Sequence, residues 1–385
     1  MSNNTKPFIC NIFPADVSGC NAWRNYFPMW TAEALCKDLL FNINRRFIVD
    51  QSFFNGVNVN ICQRQVSTPQ AQYFNNFIVP VSKSKGSWVV YNIDDCIHKD
   101  DIPQYNAAWE SYQSDELMTN IKSMMDNSDF ILVTTDELKE YYNTKFNIAN
   151  DKIIVIPNYL PKWWMGGFYD KDVSMKIYRK HKNRPRIGII SSASHYDVNN
   201  KKIADDSTAV AEYIRSTSKK YKWVVFGSVI PSIADLLMSG EVEFYQSSDI
   251  YHYPQSLKSL ELQAIVAPLI DNTFNRCKSN IKLLEGWAMG IPVIAQNLPT
   301  YSKYTDCVFS NNEELEKKLD ETIGTIFRFE TTIEENYKKV EQCWLENNLD
   351  KWLTLYRLRS KPIVFPFDRY MADQEAKKNE IVIEK

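Results

Sequence analysis

Short apolar runs recur along this chain between amphipathic stretches, and that spacing predicts alternating strands and helices. Residues 7–13 (PFICNIF), 88–93 (WVVYNI), 130–134 (FILVT) and 153–156 form such runs in the first half. Residues 186–190 (RIGII), 223–226, 265–269 and 293–295 repeat the pattern in the second half. Runs this short and continuous suit strands buried on both faces of a parallel sheet. Helical patterns are read over 116–127, 205–219, 313–323 and 332–347, and residues 14–30 read as a loop before a helix starting near Thr31. The alternation argues for an α/β fold with doubly wound parallel sheets. A last helix is expected over 349–358, burying Leu349, Trp352, Leu353, Tyr356 and Leu358, before a charged tail, 371–385, that should fray.

The stretch 267–296, APLIDNTFNRCKSNIKLLEGWAMGIPVIAQ, reads as strand end, polar loop, helix and strand. Ile281, Leu284, Trp287 and Ala288 recur at three- and four-residue spacing and form one buried stripe. Ser279 is a good N-cap, Asn280 tolerates that position, and Gly290 followed by Pro292 should end the helix. A helix start offers unpaired N–H groups and the positive end of the dipole, so an anion can sit there. Lys278 and Lys282 add charge at this mouth, beside Asn275 and Arg276, while Glu285 lies further along. The layout suits a sugar nucleotide, with a diphosphate at the helix start and ribose hydroxyls at the carboxylate. The alternative is an ordinary αβ unit with a solvated lysine face.

Other candidates follow from position. Asp94 and Asp95 close the run 88–93 at its carboxyl end, where parallel sheets bind ligands. They are placed to orient or deprotonate an acceptor hydroxyl, or merely to cap a turn. Ser18 and Gly19 belong to a tight turn after the first strand, and Ser192 and His195 to a small-residue loop after the strand 186–190. Such loops let backbone N–H groups approach a phosphate. Gly227 begins a turn that could contact a nucleotide base or diphosphate.

With 385 residues, the chain is long for one core and fits two domains. Net charge is −2, so the molecule as a whole is not marked as a polyanion binder, although a local basic groove depends on distribution. The eight cysteines form no C-x-x-C pair and no Cys/His cluster, which argues against zinc and for reduced thiols. There is no charged-then-apolar leader, and no run is long enough to span a bilayer. A cytoplasmic protein without a membrane partner is expected.

The segment containing Ala267, Pro268, Leu269, Asp271, Phe274, Asn275, Lys278, Ser279, Ile281, Lys282 and Glu285, followed by Gly290, Ile291, Pro292 and Val293, resembles a known pattern. It is similar to the nucleotide-sugar segment of retaining, glycogen-synthase-like glycosyltransferases of the GT-B fold, in the variant found in tailed phages. One departure is Cys277, where the broader family often has a glutamate. The resemblance implies two Rossmann-like domains facing across a cleft: an acceptor-side domain over 1–165, a linker over 166–185, and a nucleotide-sugar domain over 186–345. Residues 346–385 would carry a helix crossing back to the first domain. It implies a nucleotide-diphosphate sugar, UDP-linked, as co-substrate, no metal or other cofactor, and retention at the anomeric carbon. Donor contacts would come from Ser18, Gly19, Arg24, Ser192, Gly227, Asn275, Lys278, Ser279, Asn280, Lys282 and Glu285. Catalytic roles would fall to Asp94, Asp95, His195 and Lys278. The phage-like variant implies 5-hydroxymethylcytosine in double-stranded DNA as acceptor, within a host cell's cytoplasm, with Arg45, Arg46, Lys83 and Lys85 contacting phosphates. The alternatives are a glycosyltransferase acting on polysaccharide or protein, a sugar-nucleotide epimerase, or a non-enzymatic sugar-nucleotide binder.

Overall fold

The computed structural model describes residues 6–17, 19–199 and 201–358. Ser18 and the tail 371–385 lie outside them. The chain divides into two compact units.

The first unit comprises the chain up to Cys96, Ser114–Asn158, and the chain from Asn348 onward. Its strands are β1 (Phe8–Pro14), β2 (Leu39–Ile43), β3 (Val57–Gln63), β4 (Trp88–Asn92), β5 (Phe130–Val133) and β6 (Ile153–Val155). All pair in parallel, in the order β2-β1-β3-β4-β5-β6. The order reverses between β1 and β3, which makes a ligand crevice at their carboxyl ends.

Strands β2 and β3 escaped the apolar pattern because asparagines interrupt them, Asn60 at a fully buried position of β3 and Asn42 at an exposed position of β2. Asn11, Asn42 and Asn60 sit side by side in register. Asn42 Nδ2 donates to Asn11 Oδ1 at 2.9 Å, Asn11 Nδ2 to Asn60 Oδ1 at 3.0 Å, and Asn60 Nδ2 to Ser82 Oγ at 3.0 Å. A one-residue slip would leave the buried amides of Asn11 and Asn60 unpaired, so the ladder selects the register.

The loop expected over 14–30 is instead helical from Gly19 to Leu35, through Gly19–Asn21, a wide π segment at Ala22–Tyr26, and Phe27–Leu35. Ala22, Trp23, Phe27 and Met29 are buried, a stripe that the proline disguised. Pro28 falls in the first turn after the π segment, where its missing N–H costs little. The last helix, Leu349–Tyr356, packs on β1, β3 and the helix Phe27–Leu35, so it returns to the first unit. It buries Leu349, Trp352, Leu355 and Tyr356, with Leu355 rather than Leu353 facing inward.

The second unit comprises Ile97–Gln113 and Tyr159–Asn347. Its strands are β7 (Arg186–Ser191), β8 (Lys222–Gly227), β9 (Glu243–Gln246), β10 (Ala264–Ala267), β11 (Val293–Gln296) and β12 (Val308–Phe309). The parallel order is β12-β11-β10-β7-β8-β9, reversing between β7 and β10. Two boundaries differ from expectation. Residues 166–185 are not a linker, because they hold the helix Lys171–Lys180. Asp170 caps it by accepting from Val173 N–H at 2.9 Å, and Ser174, Met175 and Tyr178 are buried, with the helix packed against Ile326–Gln342. Its apolar stripe is narrow and hidden among lysines. Residues 97–113 belong to this unit although they lie among first-unit sequence, because Ile102 and Tyr105 are buried and Tyr105 bonds to second-unit side chains. No described helix is long and apolar enough to cross a membrane.

The asparagine ladder makes a measurable claim. Asn60→Leu leaves the buried Asn11 Nδ2 group without a partner, while the Ser82 hydroxyl still donates to Ile78 O, so urea unfolding should show a loss of about 1–3 kcal/mol. A loss within error of zero would mean that the ladder does not hold the register.

Candidate functional site

The carboxyl ends of β7 and β10 meet at the second unit's switch point, and the helix Ile281–Ala288 starts beside them. Its N-cap is Asn280 rather than Ser279, and the Asn280 carbonyl accepts from Leu283 N–H at 2.9 Å. Asn280 makes no side-chain cap bond, and the first turn of a helix leaves backbone N–H groups without intrahelical partners. Gly290, with φ of +69°, ends the turn beyond the helix, where a Cβ would lie 2.8 Å from Ser174 Oγ.

Lys278 and Lys282 flank this helix start. Lys278 Nζ lies 4.5 Å from the Phe274 ring centroid and pairs with no carboxylate among the described residues. Lys282 Nζ is 3.5 Å from Glu285 Oε2. The same oxygen accepts from the Tyr253 hydroxyl at 2.9 Å. Tyr253 stacks between Trp164 and Phe226, with centroids 5.9 and 5.6 Å away, so its hydroxyl is held in place. Glu285 is thereby fixed through one oxygen, Oε2, which leaves Oε1 outside both contacts.

The loop after β7 carries His195, whose Nδ1 lies 2.7 Å from Asp206 Oδ2. Burial, then the ammonium of Lys278, hold the imidazole below its ordinary value, against the pull of Asp206. Tyr196 anchors the loop by burying its ring and bonding to Ser191. His195, Asp206, Lys282 and Tyr301 line one narrow cavity with Ser191 and Ala267. Ser192 is exposed and its hydroxyl lies 2.7 Å from that of Ser194. Gly227 has φ of +122°, and a Cβ there would sit 2.2 Å from Ser191 O, so backbone alone fits at this edge.

Asn275 departs from its expected role. It is fully buried, and its Nδ2 donates to Asp206 Oδ1 at 2.7 Å and Ile270 O at 2.9 Å. It braces the site from behind instead of facing a donor. Arg276 is likewise engaged, bidentate to Asp271 at 2.5 and 2.7 Å. Asp206, Tyr105 and Tyr253 were missed in the sequence. Asp206 looked like part of a helix start, and Tyr105 lies in a stretch with no periodicity.

In the first unit, Asp94 and Asp95 follow β4 and meet Arg64, which follows β3. Arg64 Nη2 lies 2.8 Å from Asp95 Oδ2 and its Nη1 3.8 Å from Asp94 Oδ1. Arg64 has φ of +52°, a strained backbone that turns its side chain into the cluster. Its Nη1 is also 2.9 Å from Cys20 Sγ. Burial raises the Asp94 carboxyl, opposed by the Arg64 charge. Cys20, Asp94 and Asp95 bring ligand-type atoms within 4.8 Å of one another, but the Arg64 guanidinium already supplies the positive charge there. Gly19 is exposed next to this cluster in sequence.

Three first-unit expectations change. Arg24 is fully enclosed and cannot meet a donor. Its Nη1 donates to Ile156 O at 2.7 Å and Asn158 Oδ1 at 2.9 Å, and its Nε to Asn92 Oδ1 at 3.3 Å. It ties the ends of β4 and β6 together, under the Trp352 ring at 5.1 Å, and burial pulls its pKa down to about 10. The four basic residues do not form one groove either. Arg45 and Arg46 are exposed after β2, at the carboxyl edge, whereas Lys83 and Lys85 end the helix Val79–Lys85 that leads into the amino end of β4. A parallel sheet separates those two edges by the length of its strands.

No protein-family model matches this chain, and no curated protein sequence matches it. Solved structures do. The chain is similar to a glycosyltransferase from Rickettsia africae ESF-5 at 14% identity, with 92% of this chain and 98% of that one covered and a TM-score of 0.57. It is similar to Anabaena Alr3699/HepE in complex with UDP and glucose at 10% identity, covering 90% and 98%, with a TM-score of 0.59. WaaG, a glycosyltransferase involved in lipopolysaccharide biosynthesis, matches at 11% identity over 91% and 100%, with a TM-score of 0.56. The two six-stranded parallel sheets with their helices are those of the GT-B fold.

The enclosure of Arg24 is open to test. Arg24→Met strips partners from buried carbonyl and amide oxygens, and should cost about 3 kcal/mol in urea unfolding. Nucleotide affinity of the folded protein, measured by calorimetry, should stay within about twofold, a change too small to reflect a lost charged contact.

Proposed function

We propose that this chain is a glycosyltransferase that moves a sugar from a UDP-linked donor to an acceptor hydroxyl. The carrying observation is the grouping of Lys278, Lys282 and an open helix start at the switch point of the second sheet, with Glu285 one turn along. Glycosyl transfer develops charge on the departing diphosphate. Two ammonium groups and the fixed backbone dipoles of the helix start stabilise that charge without reorganising. Lys278 has no competing carboxylate among the described residues, so its charge is available to the leaving group. Glu285 receives ribose hydroxyls on the oxygen that Tyr253 and Lys282 leave open. Gly227 and Ser192 let the donor approach backbone, and His195 presents its Nε2 edge to the sugar. The likeness to a protein solved with UDP and glucose supports the choice of donor.

On the acceptor side, a largely enclosed Asp94 with a raised carboxyl suits a group that takes a hydrogen bond or proton from a hydroxyl. Asp95 and Arg64 hold it in position. Retention at the anomeric carbon and 5-hydroxymethylcytosine in DNA as acceptor rest on the sequence resemblance around Glu285. DNA contacts would run through Arg45 and Arg46 alone, since Lys83 and Lys85 lie at the other edge.

With UDP-sugar donors, Lys278→Ala should lower kcat about 100-fold with a smaller change in donor KM, because leaving-group charge grows toward the transition state. Glu285→Ala should raise donor KM about tenfold or more. Wild-type kinetics in both variants would remove the site. Labelled sugar should appear on hydroxymethylated duplex DNA in a reaction that weakens steeply with salt, with the product's anomeric configuration matching the donor's. Transfer only to a saccharide or protein would remove the DNA acceptor and leave the donor site intact.

A further inference from the structure

We infer that Tyr105, on the segment Ile97–Gln113, is a positioning residue that controls His195 through the buried carboxylate of Asp206. The inference rests on the donor-site reading above. Asp206 is about as enclosed as a carboxylate can be, with 1% of its side chain exposed. Its Oδ1 accepts from the Tyr105 hydroxyl at 2.9 Å, Asn275 Nδ2 at 2.7 Å and Ile270 N–H at 2.9 Å. Its Oδ2 faces His195 Nδ1 at 2.7 Å. A carboxylate is an acceptor only, so Nδ1 of a neutral His195 carries the hydrogen and Nε2 is left as the acceptor. The tautomer at the cavity is thus decided on the far side of Asp206.

Of the donors to Oδ1, Tyr105 alone comes from outside the second unit's own run of sequence. Its hydroxyl accepts in turn from Asn275 Nδ2 at 3.0 Å and Asn272 Nδ2 at 3.3 Å, and burial raises its pKa, so it stays a donor. The segment is docked independently of this bond. Lys201 Nζ lies 4.3 Å from the Trp109 ring centroid, 3.4 Å from Gln104 O and 3.4 Å from Glu110 Oε1. Removing one phenolic oxygen should therefore leave the segment in place while changing the charge that Asp206 presents to His195. The groups that face His195 are Asp206, Lys278 and Lys282. Losing a hydrogen-bond donor at Oδ1 leaves more of the carboxylate's negative charge on Oδ2 and deepens its hold on the Nδ1 proton. The sign is an upward move in the His195 titration.

The experiment is NMR titration of the full chain labelled with 13C at histidine Cε1, which gives four resonances, one per histidine. Assignment by His195→Gln identifies the signal. In Tyr105→Phe the His195 midpoint should rise by about 0.5 pH unit or more. Turnover should fall about tenfold with donor KM within about twofold, because the fault is in orientation and not in binding. In a second variant, 3,5-difluorotyrosine placed at position 105 by suppression strengthens the donor, and the midpoint should move down. Opposite shifts from near-isosteric groups are not produced by a packing role. If Tyr105→Phe does not fold, the fluorinated chain decides alone. An unmoved midpoint in the folded variants overturns the inference, as does a loss of turnover without a shift. Failure of the wild-type chain to transfer sugar would remove the proposed activity, yet the titration would still test this coupling.

Discussion

A buried carboxylate that must be satisfied organises the second unit. Asp206 is out of reach of water, and an ionised group there costs several kcal/mol unless its lone pairs are filled. Four donors fill them, from three separate stretches of the chain: Tyr105, His195, and Ile270 with Asn275. Three of the four lie in the loops after β7 and β10, at the switch point, and Tyr105 comes from the separate segment 97–113. The requirement to neutralise one charge therefore draws the loop after β7, the loop after β10 and the segment 97–113 into one arrangement. The ammonium groups of Lys278 and Lys282 act on the same imidazole, against the pull of Asp206. Negative charge behind His195 and positive charge in front leave an imidazole with one defined tautomer at a site suited to an anion.

The first unit solves a related problem with the opposite sign. Arg24 is a cation with no exposed surface, and it is held by oxygen atoms from the ends of neighbouring strands and by the Trp352 face. Because Trp352 sits on the last helix, the returning chain end and the sheet are secured by the same guanidinium. Arg64 is the half-buried counterpart, paired with Asp94 and Asp95 at the carboxyl edge. Of these two arginines, full burial makes Arg24 a structural tie, while Arg64 is spent on the paired carboxylates.

Most strands were legible because a parallel strand covered on both faces is a continuous apolar run, as at 88–93 and 186–190. The strands that were not legible broke that rule for a physical reason. β3 alternates valine and asparagine like a half-exposed strand, yet Asn60 is buried because its amide is satisfied by Asn11 of β1 and by Ser82. The helix Gly19–Leu35 was masked by Pro28, and Lys171–Lys180 by its lysines. At the site, Lys278, Lys282 and Glu285 could be read because three- and four-residue spacing places them on one helix start. Asn275 was read with them and proved to face inward, since spacing does not say which side of a short loop is covered.

The sequence alone determined the α/β alternation, the placement of a cationic helix start after β10, and acidic groups after β4. Those follow from local periodicity and from neighbours a few residues apart, which the chain carries in its order. Tertiary structure alone decided that Tyr105 and Asp206, 101 residues apart, share a hydrogen bond, that Arg24 is enclosed, and that Arg45 and Lys83 lie at opposite sheet edges. Each depends on which surface a fold covers and which chain segments it brings together. That is settled by burying apolar area and satisfying buried polar groups over the whole unit, and no local spacing records it.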